Sequence, residues 1–177
     1  MRKISSFLFV VAICAAAGTA AHVSGNVLKS VETSLDERFN RLWEDNAFAV
    51  SRPSRGIYLD GYGAVFTVDV SPLMTLTSMM HPNVSKDEAA KAHKVRLERI
   101  PQLKQAVRVA LADAAASLDS VPLDDQVTVV VFLTHHQWED VTGMPVQLTF
   151  QAKKKALLEA RRAGGTALAQ AVQITEN

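Results

Sequence analysis

Ile57-Tyr58-Leu59-Asp60-Gly61-Tyr62-Gly63-Ala64-Val65-Phe66-Thr67-Val68-Asp69-Val70 is the stretch on which the fold turns. From Tyr62 the side chains alternate. Tyr62, Ala64, Phe66, Val68 and Val70 fall on one face, and Gly63, Thr67 and Asp69 on the other, which predicts a strand with one buried side. Asp60-Gly61 between extended apolar residues predicts a two-residue hairpin turn, since both turn positions favour positive φ. Ile57–Leu59 would then run back against Tyr62–Val70. The competing reading is one long strand bent at its glycines.

Downstream, Ser71-Pro72 ends the strand, and Leu73 to Pro82 is an apolar connector holding Met74, Met79, Met80 and His81. Thioethers bind soft metals, but a methionine cluster more often fills irregular core space. Ser85 and Glu88 form a capping box that starts a helix running to about Arg99. Pro101 interrupts it, because proline has no N–H and crowds the preceding turn. The stripe Leu103, Val107, Ala110, Leu111, Ala114 and Leu118 then resumes, so two helices or one kinked helix should end near Ser120. Val127 to Thr134 is nearly all apolar, as expected of a central strand buried on both faces. A loop, His135 to Met144, leads to the alternating strand Val146–Gln151. Lys153–Ala163 reads as a helix stopped at Gly164-Gly165, and Leu168–Thr175 as a last strand.

Upstream, Leu28, Val31, Leu35, Phe39 and Leu42 recur at helical spacing with Trp43 on the flank. Charged residues lie between them, which predicts an amphipathic helix. Ser34 with Glu37 offers an alternative internal start. Ser51–Ser54, with Pro53, reads as a linker. The expected fold is therefore α+β: one domain with a mostly antiparallel sheet of about five strands packed against helices. The expected division is residues 1–21 as a leader, 22–50 as an N-terminal helical segment and 51–177 as the α+β domain.

Arg2 and Lys3, the uncharged run from Ile4 and the small residues Ala15 to Ala21 have the three-part form of a secretory signal peptide. Cleavage is expected after Ala20 or Ala21. Cys14, the only cysteine of the chain, would leave with the leader, and Ile13 before it does not suit lipidation. The mature chain would have no thiol chemistry and no disulfide. The expected location is periplasmic or secreted, with no stable membrane insertion after cleavage; the alternative is a leader kept as an inner-membrane anchor. Of 19 basic residues, Arg2 and Lys3 are lost, leaving 17 against 18 acidic. That balance, near −1, speaks against nucleic acid as a partner. The run Lys153, Lys154, Lys155 with Arg161 and Arg162 reads as the solvated face of a helix.

Two groups of residues could carry function. Tyr58, Asp60, Gly61, Tyr62 and Gly63 combine bare backbone with two aromatic hydroxyls, which suits a binding patch; a plain hairpin turn is the simpler alternative. His135-His136-Gln137-Trp138-Glu139-Asp140 follows the most apolar strand. His135, His136 and Glu139 are zinc-type ligands, with His81 or His93 as the distant third. Adjacent histidines in extended backbone point apart, however, and neither zinc-protease helix pattern is present. No serine sits in a nucleophile-elbow pattern. No cofactor is expected.

The segment Tyr58-Leu59-Asp60-Gly61-Tyr62-Gly63-Ala64-Val65-Phe66-Thr67 resembles a motif of uncharacterised exported bacterial proteins. These pair a leader with a Tyr-Gly-x-x-Phe-Thr strand, a long helical segment and an apolar strand. The resemblance implies a bacterial envelope location and assigns no site. The function expected from all of this is a non-enzymatic binding or interaction module whose partner is an envelope protein or a small ligand. The alternative is a metal-dependent hydrolase using His136 and Glu139.

Overall fold

A computed structural model describes residues 23–42, 49–71, 84–164 and 166–177. The leader at 1–21 with its cleavage sites, Trp43, the connector Leu73–Pro82 with its methionines and His81, and Gly165 lie outside the described residues. The elements are α1 (Gly25–Asn40), β1 (Ala49–Leu59), β2 (Gly63–Ser71), α2 (Lys86–Ser117), β3 (Gln126–Leu133), β4 (Gln147–Lys153), α3 (Lys154–Ala163), α4 (Ala167–Ala171) and β5 (Gln173–Glu176). The five strands lie side by side in chain order. Three neighbouring pairs are antiparallel; β2 and β3, joined through α2, are parallel. The protein is thus a single α+β domain, among the described residues a mostly antiparallel sheet packed against four helices.

One phase of each central strand builds the core. Ala64, Phe66, Val68 and Val70 of β2, Val127, Val129, Val131 and Leu133 of β3, and Leu148 and Phe150 of β4 are all buried. Against them pack Val31, Leu35 and Phe39 of α1, Leu103, Val107 and Leu111 of α2, and Leu157 of α3. The register pairs Phe66 with Val129 and Val129 with Phe150, so one apolar row crosses the sheet.

The Ser85–Glu88 capping box is formed in both directions. Helix α2 then runs unbroken for 32 residues with Pro101 inside it. An interior proline costs a helix about 3 kcal/mol. Burial of Ile100 and Leu103 on either side of it, at 6% and 0% exposure, offsets that cost. Helix α1 starts at Ser24, whose hydroxyl accepts from the Asn26 N–H, and not at Ser34. The end of α3 matches the glycine expectation: Gly164 has φ 67, and its N–H donates to Ala160 O.

Ser51–Ser54 is not a linker but the outer part of β1, an edge strand irregular around Arg52 and Arg55. Proline is tolerated at such edges and bulges. Helix α1 lies along this edge and supplies the acceptors that a sixth strand would otherwise provide. Gly56 N–H donates to Glu32 Oε1 at 2.8 Å, Ser54 N–H to Asp36 Oδ1 at 2.9 Å, and Val50 N–H to Asn40 Oδ1 at 3.1 Å. Ser54 Oγ adds a second bond to Asp36 Oδ1 at 2.6 Å. These three polar residues recur every fourth position, one helical turn apart.

Three other expectations are corrected. Strand β3 is buried on both faces only near its start, where Thr128 on the side away from the core is 3% exposed; toward its end Phe132 on that side is 36% exposed. The segment Leu168–Thr175 is one helical turn, α4, followed by the short β5. Lys154 is not on a solvated face. It is buried, and its ammonium donates to Leu118 O and Val121 O, both at 2.7 Å, tying the start of α3 to the end of α2. Burial lowers its pKa, with Asp119 opposing the shift.

Candidate functional site

The hairpin and the histidine loop lie at opposite ends of β3. Gly63 of the hairpin pairs with Gln126 at the start of β3, and the loop follows Leu133 at its end. The turn is closed by Tyr62 N–H donating to Leu59 O at 3.0 Å, and Gly61 has φ 75. Because Leu59 pairs with Gly63, the loop has three residues, Asp60 to Tyr62, and not two. Gly63 has φ 132, and a Cβ there would stand 1.9 Å from Gln126 O. Glycine is required by that close approach to β3.

The twist at Gly63 takes Tyr62 out of the core phase where the alternation placed it. Tyr62 is 40% exposed, and its hydroxyl bonds Thr128 Oγ1 at 3.0 Å on the far side of the sheet. Tyr58 goes the other way. It packs against the core, and its hydroxyl donates to Asp125 Oδ2 at 2.8 Å. Desolvation and the Asp125 carboxylate push its phenol up to about 12. Asp60 is exposed in the turn. The fold therefore brings Tyr58, Asp60, Gly61, Tyr62 and Gly63 to one end of the sheet but divides the two tyrosines between its faces.

At the other end, Glu139 forms a buried ion pair with Arg96 of α2. Arg96 also donates from Nη2 to Thr134 O at 2.9 Å, and His136 N–H donates to Glu139 Oε2 at 3.1 Å. Burial lowers the Arg96 pKa, with Glu139 opposing the shift. His93 of α2 hydrogen-bonds Asp140 O through Nδ1 at 2.8 Å. The His136 and Trp138 rings stack with centroids 5.5 Å apart, while His135 is exposed. The chemistry of this constellation is that of a latch. The guanidinium neutralises the carboxylate that His136 N–H meets and holds the loop on α2. Among the described residues, no three histidine or acidic side chains are grouped to hold a metal ion.

The third feature is the sheet face turned away from the core. Its rows follow from the register. Ile57, Val65, Thr128, Gln151 and Gln173 form one; Arg55, Thr67, Val130, Thr149 and Thr175 the next; Asp69, Phe132 and Gln147 a third. Over β3, β4 and β5 these rows hold glutamine, threonine, valine and phenylalanine without a charge; Lys153, opposite Gln126, stands at a corner. Gln147 Nε2 donates to Thr149 Oγ1 at 2.9 Å, and Gln151 Nε2 to Gln173 Oε1 at 3.1 Å, so the side chains are held in a lattice. Gln126 Oε1 is buried without a hydrogen-bond partner. Ile57 at 54% exposure and Phe132 add apolar surface.

Sequence reasoning did not pick out Gln126, Thr128, Gln147, Thr149, Gln151 or Arg96. The signal for most of them was present in β4, where Gln147, Thr149 and Gln151 alternate with Leu148 and Phe150. The outward phase of that strand is uncharged up to Lys153. Comparison with protein-family models, curated proteins and solved structures returns no match.

Proposed function

We propose that the protein is a non-enzymatic binding module of the bacterial envelope, exported by residues 1–21 and engaging its partner through the open face of the sheet. The observation that carries this reading is the one-sidedness of the domain. The core uses one phase of β2, β3 and β4, and Val65, Val130 and Phe132 of the other phase stand outside it. Large patches of apolar side chains with a polar surround mark interaction sites on soluble domains. The hydrolase alternative loses support at Glu139, whose carboxylate is committed to Arg96. No described helix is long and apolar enough to cross a membrane.

The test places a photoreactive phenylalanine analogue at Gln147 on the open face or at Lys94 on the exposed side of α2, in cells. The expected result is an envelope-fraction adduct from Gln147 and none from Lys94, on a protein whose N-terminus begins at Ala21 or His22. Equal adducts from both positions, or a cytosolic protein retaining Met1, would refute the reading.

A further inference from the structure

We propose that a cleft between α1 and α2, on the helical side of the domain, binds a short hydroxycarboxylate. The site stands apart from the open sheet face, so it adds to the reading above and does not rest on it. The cleft has a volume of about 150 Å³. Ser30, Ser34 and Arg38, each one helical turn from the next, form the α1 wall. Ala110, Ala114 and Ser117 form the α2 wall. The space exists because the facing side chains are short, while the buried Val31 and Leu35 beneath them hold α1 on the core.

Charge selects the occupant. Asp113 of α2 lines the cleft beside Arg38 and takes two guanidinium groups. Its Oδ2 meets Arg38 Nη2 at 2.5 Å, and its Oδ1 meets Arg161 Nε of α3 at 3.1 Å. Two positive charges on one carboxylate leave an excess of one. The other charged residues of α1 and its C-cap are engaged elsewhere: Lys29 with Glu32, Arg41 with Glu37, and Asp36 with Ser54 on the β1 side. An excess of one charge matches a monoanion; a dianion would face Asp113 with one charge uncompensated. A guanidinium presents five N–H donors in a planar fork that suits a carboxylate. Among the described residues, Arg38 spends only the Nη2 donor, on Asp113.

Size and hydroxyl chemistry narrow the class further. A cavity of about 150 Å³ admits a molecule of benzene size, about six non-hydrogen atoms. Hydroxyls on a helix often bond back to a carbonyl one turn earlier, as Thr33 does to Lys29 O and Ser117 to Asp113 O. Ser30 and Ser34 do not. Among the described residues no hydrogen bond engages either hydroxyl, so both remain for a ligand. Ser34 stands one turn, about 5.4 Å, from Arg38. A carboxylate held on the Arg38 fork therefore directs its carbon chain along the α1 wall toward Ser34. A hydroxyl one or two carbons from that carboxylate meets the serine there, and the Ala110 and Ala114 methyls cover the carbon chain from the other side.

The experiment is an NMR titration of the purified protein with sodium lactate, sodium propionate, free alanine and, at matched ionic strength, sodium chloride. Lactate should shift the backbone amides of Ser34, Arg38 and Ala114 saturably while those of β4 stay in place. Propionate, which lacks the hydroxyl, should bind about tenfold more weakly. Alanine, a zwitterion without net charge, and chloride should give no saturable shift. Arg38→Gln should lose the response to lactate; Asp113 keeps Arg161, and a cooperative urea transition confirms that the variant folds. Ser34→Ala, at an exposed position, should bring lactate down to the affinity of propionate and leave propionate unchanged. The inference is overturned if lactate gives no saturable shift by about 50 mM, if alanine or chloride shifts the same amides as strongly, or if Ser34→Ala still prefers lactate. Any of these results removes the cleft as a site and leaves the Gln147 adduct as the separate test of the open face.

Discussion

Asp36→Ala should destabilise the domain by about 2–4 kcal/mol, more than an ordinary surface substitution. Ser54 is 1% exposed, and both its N–H and its hydroxyl donate to the same oxygen, Asp36 Oδ1, at 2.9 and 2.6 Å. Each buried donor left without an acceptor costs about 1–3 kcal/mol, at the upper end where the lost acceptor was ionised. Two such losses give about 2–6 kcal/mol. Asp36 itself is partly exposed, so water reaches part of the vacated space and lowers the sum. Asp36→Asn keeps the oxygen but loses the charge, and should cost about 1 kcal/mol. In Asp36→Ala with Ser54→Ala the unsatisfied hydroxyl is gone, and about 1 kcal/mol should return as coupling between the two sites. Urea unfolding followed by circular dichroism measures all three, with the midpoint shifting and the slope constant. Amide exchange at Ser54 should speed up in the alanine variant alone. A loss below about 0.5 kcal/mol, or strict additivity of the pair, would refute the idea that α1 satisfies the sheet edge.

Gly63→Ala should prevent stable folding, because its Cβ would meet Gln126 O at 1.9 Å, whereas Gly61→Ala, with open space around it, should cost only about 1 kcal/mol of backbone strain; thermal melts compare the two. Arg96→Met should cost about 3–5 kcal/mol by stranding the buried Glu139, and Arg96→Met with Glu139→Leu should recover most of it; a double variant no better than the single would sink the latch. Tyr58 has a folded pKa raised above 10.0 to about 12, so its contribution to stability is full below pH 10 and fades as pH rises toward 12. Ultraviolet titration should show this phenol ionising near 12, and Asp125→Asn should move it down.

How much of this was legible beforehand depends on which forces act locally. The alternation from Ala64 to Val70, the Ser85–Glu88 box and the stripe from Leu103 to Leu118 are local patterns, and the structure keeps each of them. Tyr62 broke its alternation because Gly63 sits at φ 132, a choice imposed by contact with Gln126 across the sheet. Ser51–Ser54 looked like a linker because its partners, Asp36 and Asn40, lie in another element. Lys154 looked solvated because the carbonyls it meets are more than thirty residues away in the chain. The hairpin residues were found as a cluster, but not their division between two faces. The open face was missed because its members are spread over five strands and become neighbours only through the register.

The same register decides how a partner can approach. Sheets recruit other chains in two ways, by pairing at an edge or by covering a face. The β1 edge is closed: its outward amides at Val50, Ser54 and Gly56 already have acceptors on α1. Freeing that edge would expose Val31, Leu35 and Phe39, each 3% exposed or less, at about 1.5–3 kcal/mol apiece. The opposite edge, β5, has four residues, and Lys104 of α2 reaches across to Glu176 at its end. Short edges fringed with charge resist strand addition. With both edges unfavourable and one face committed to the core, the remaining broad surface of the sheet is its other face, which exposes Ile57 and Phe132 and carries Val130, Thr149 and Gln151 between them. A binding function for this domain is therefore a property of a face, so charge substitutions at Thr149 or Gln151 should disrupt it while Lys94→Ala, on the exposed side of α2, should not.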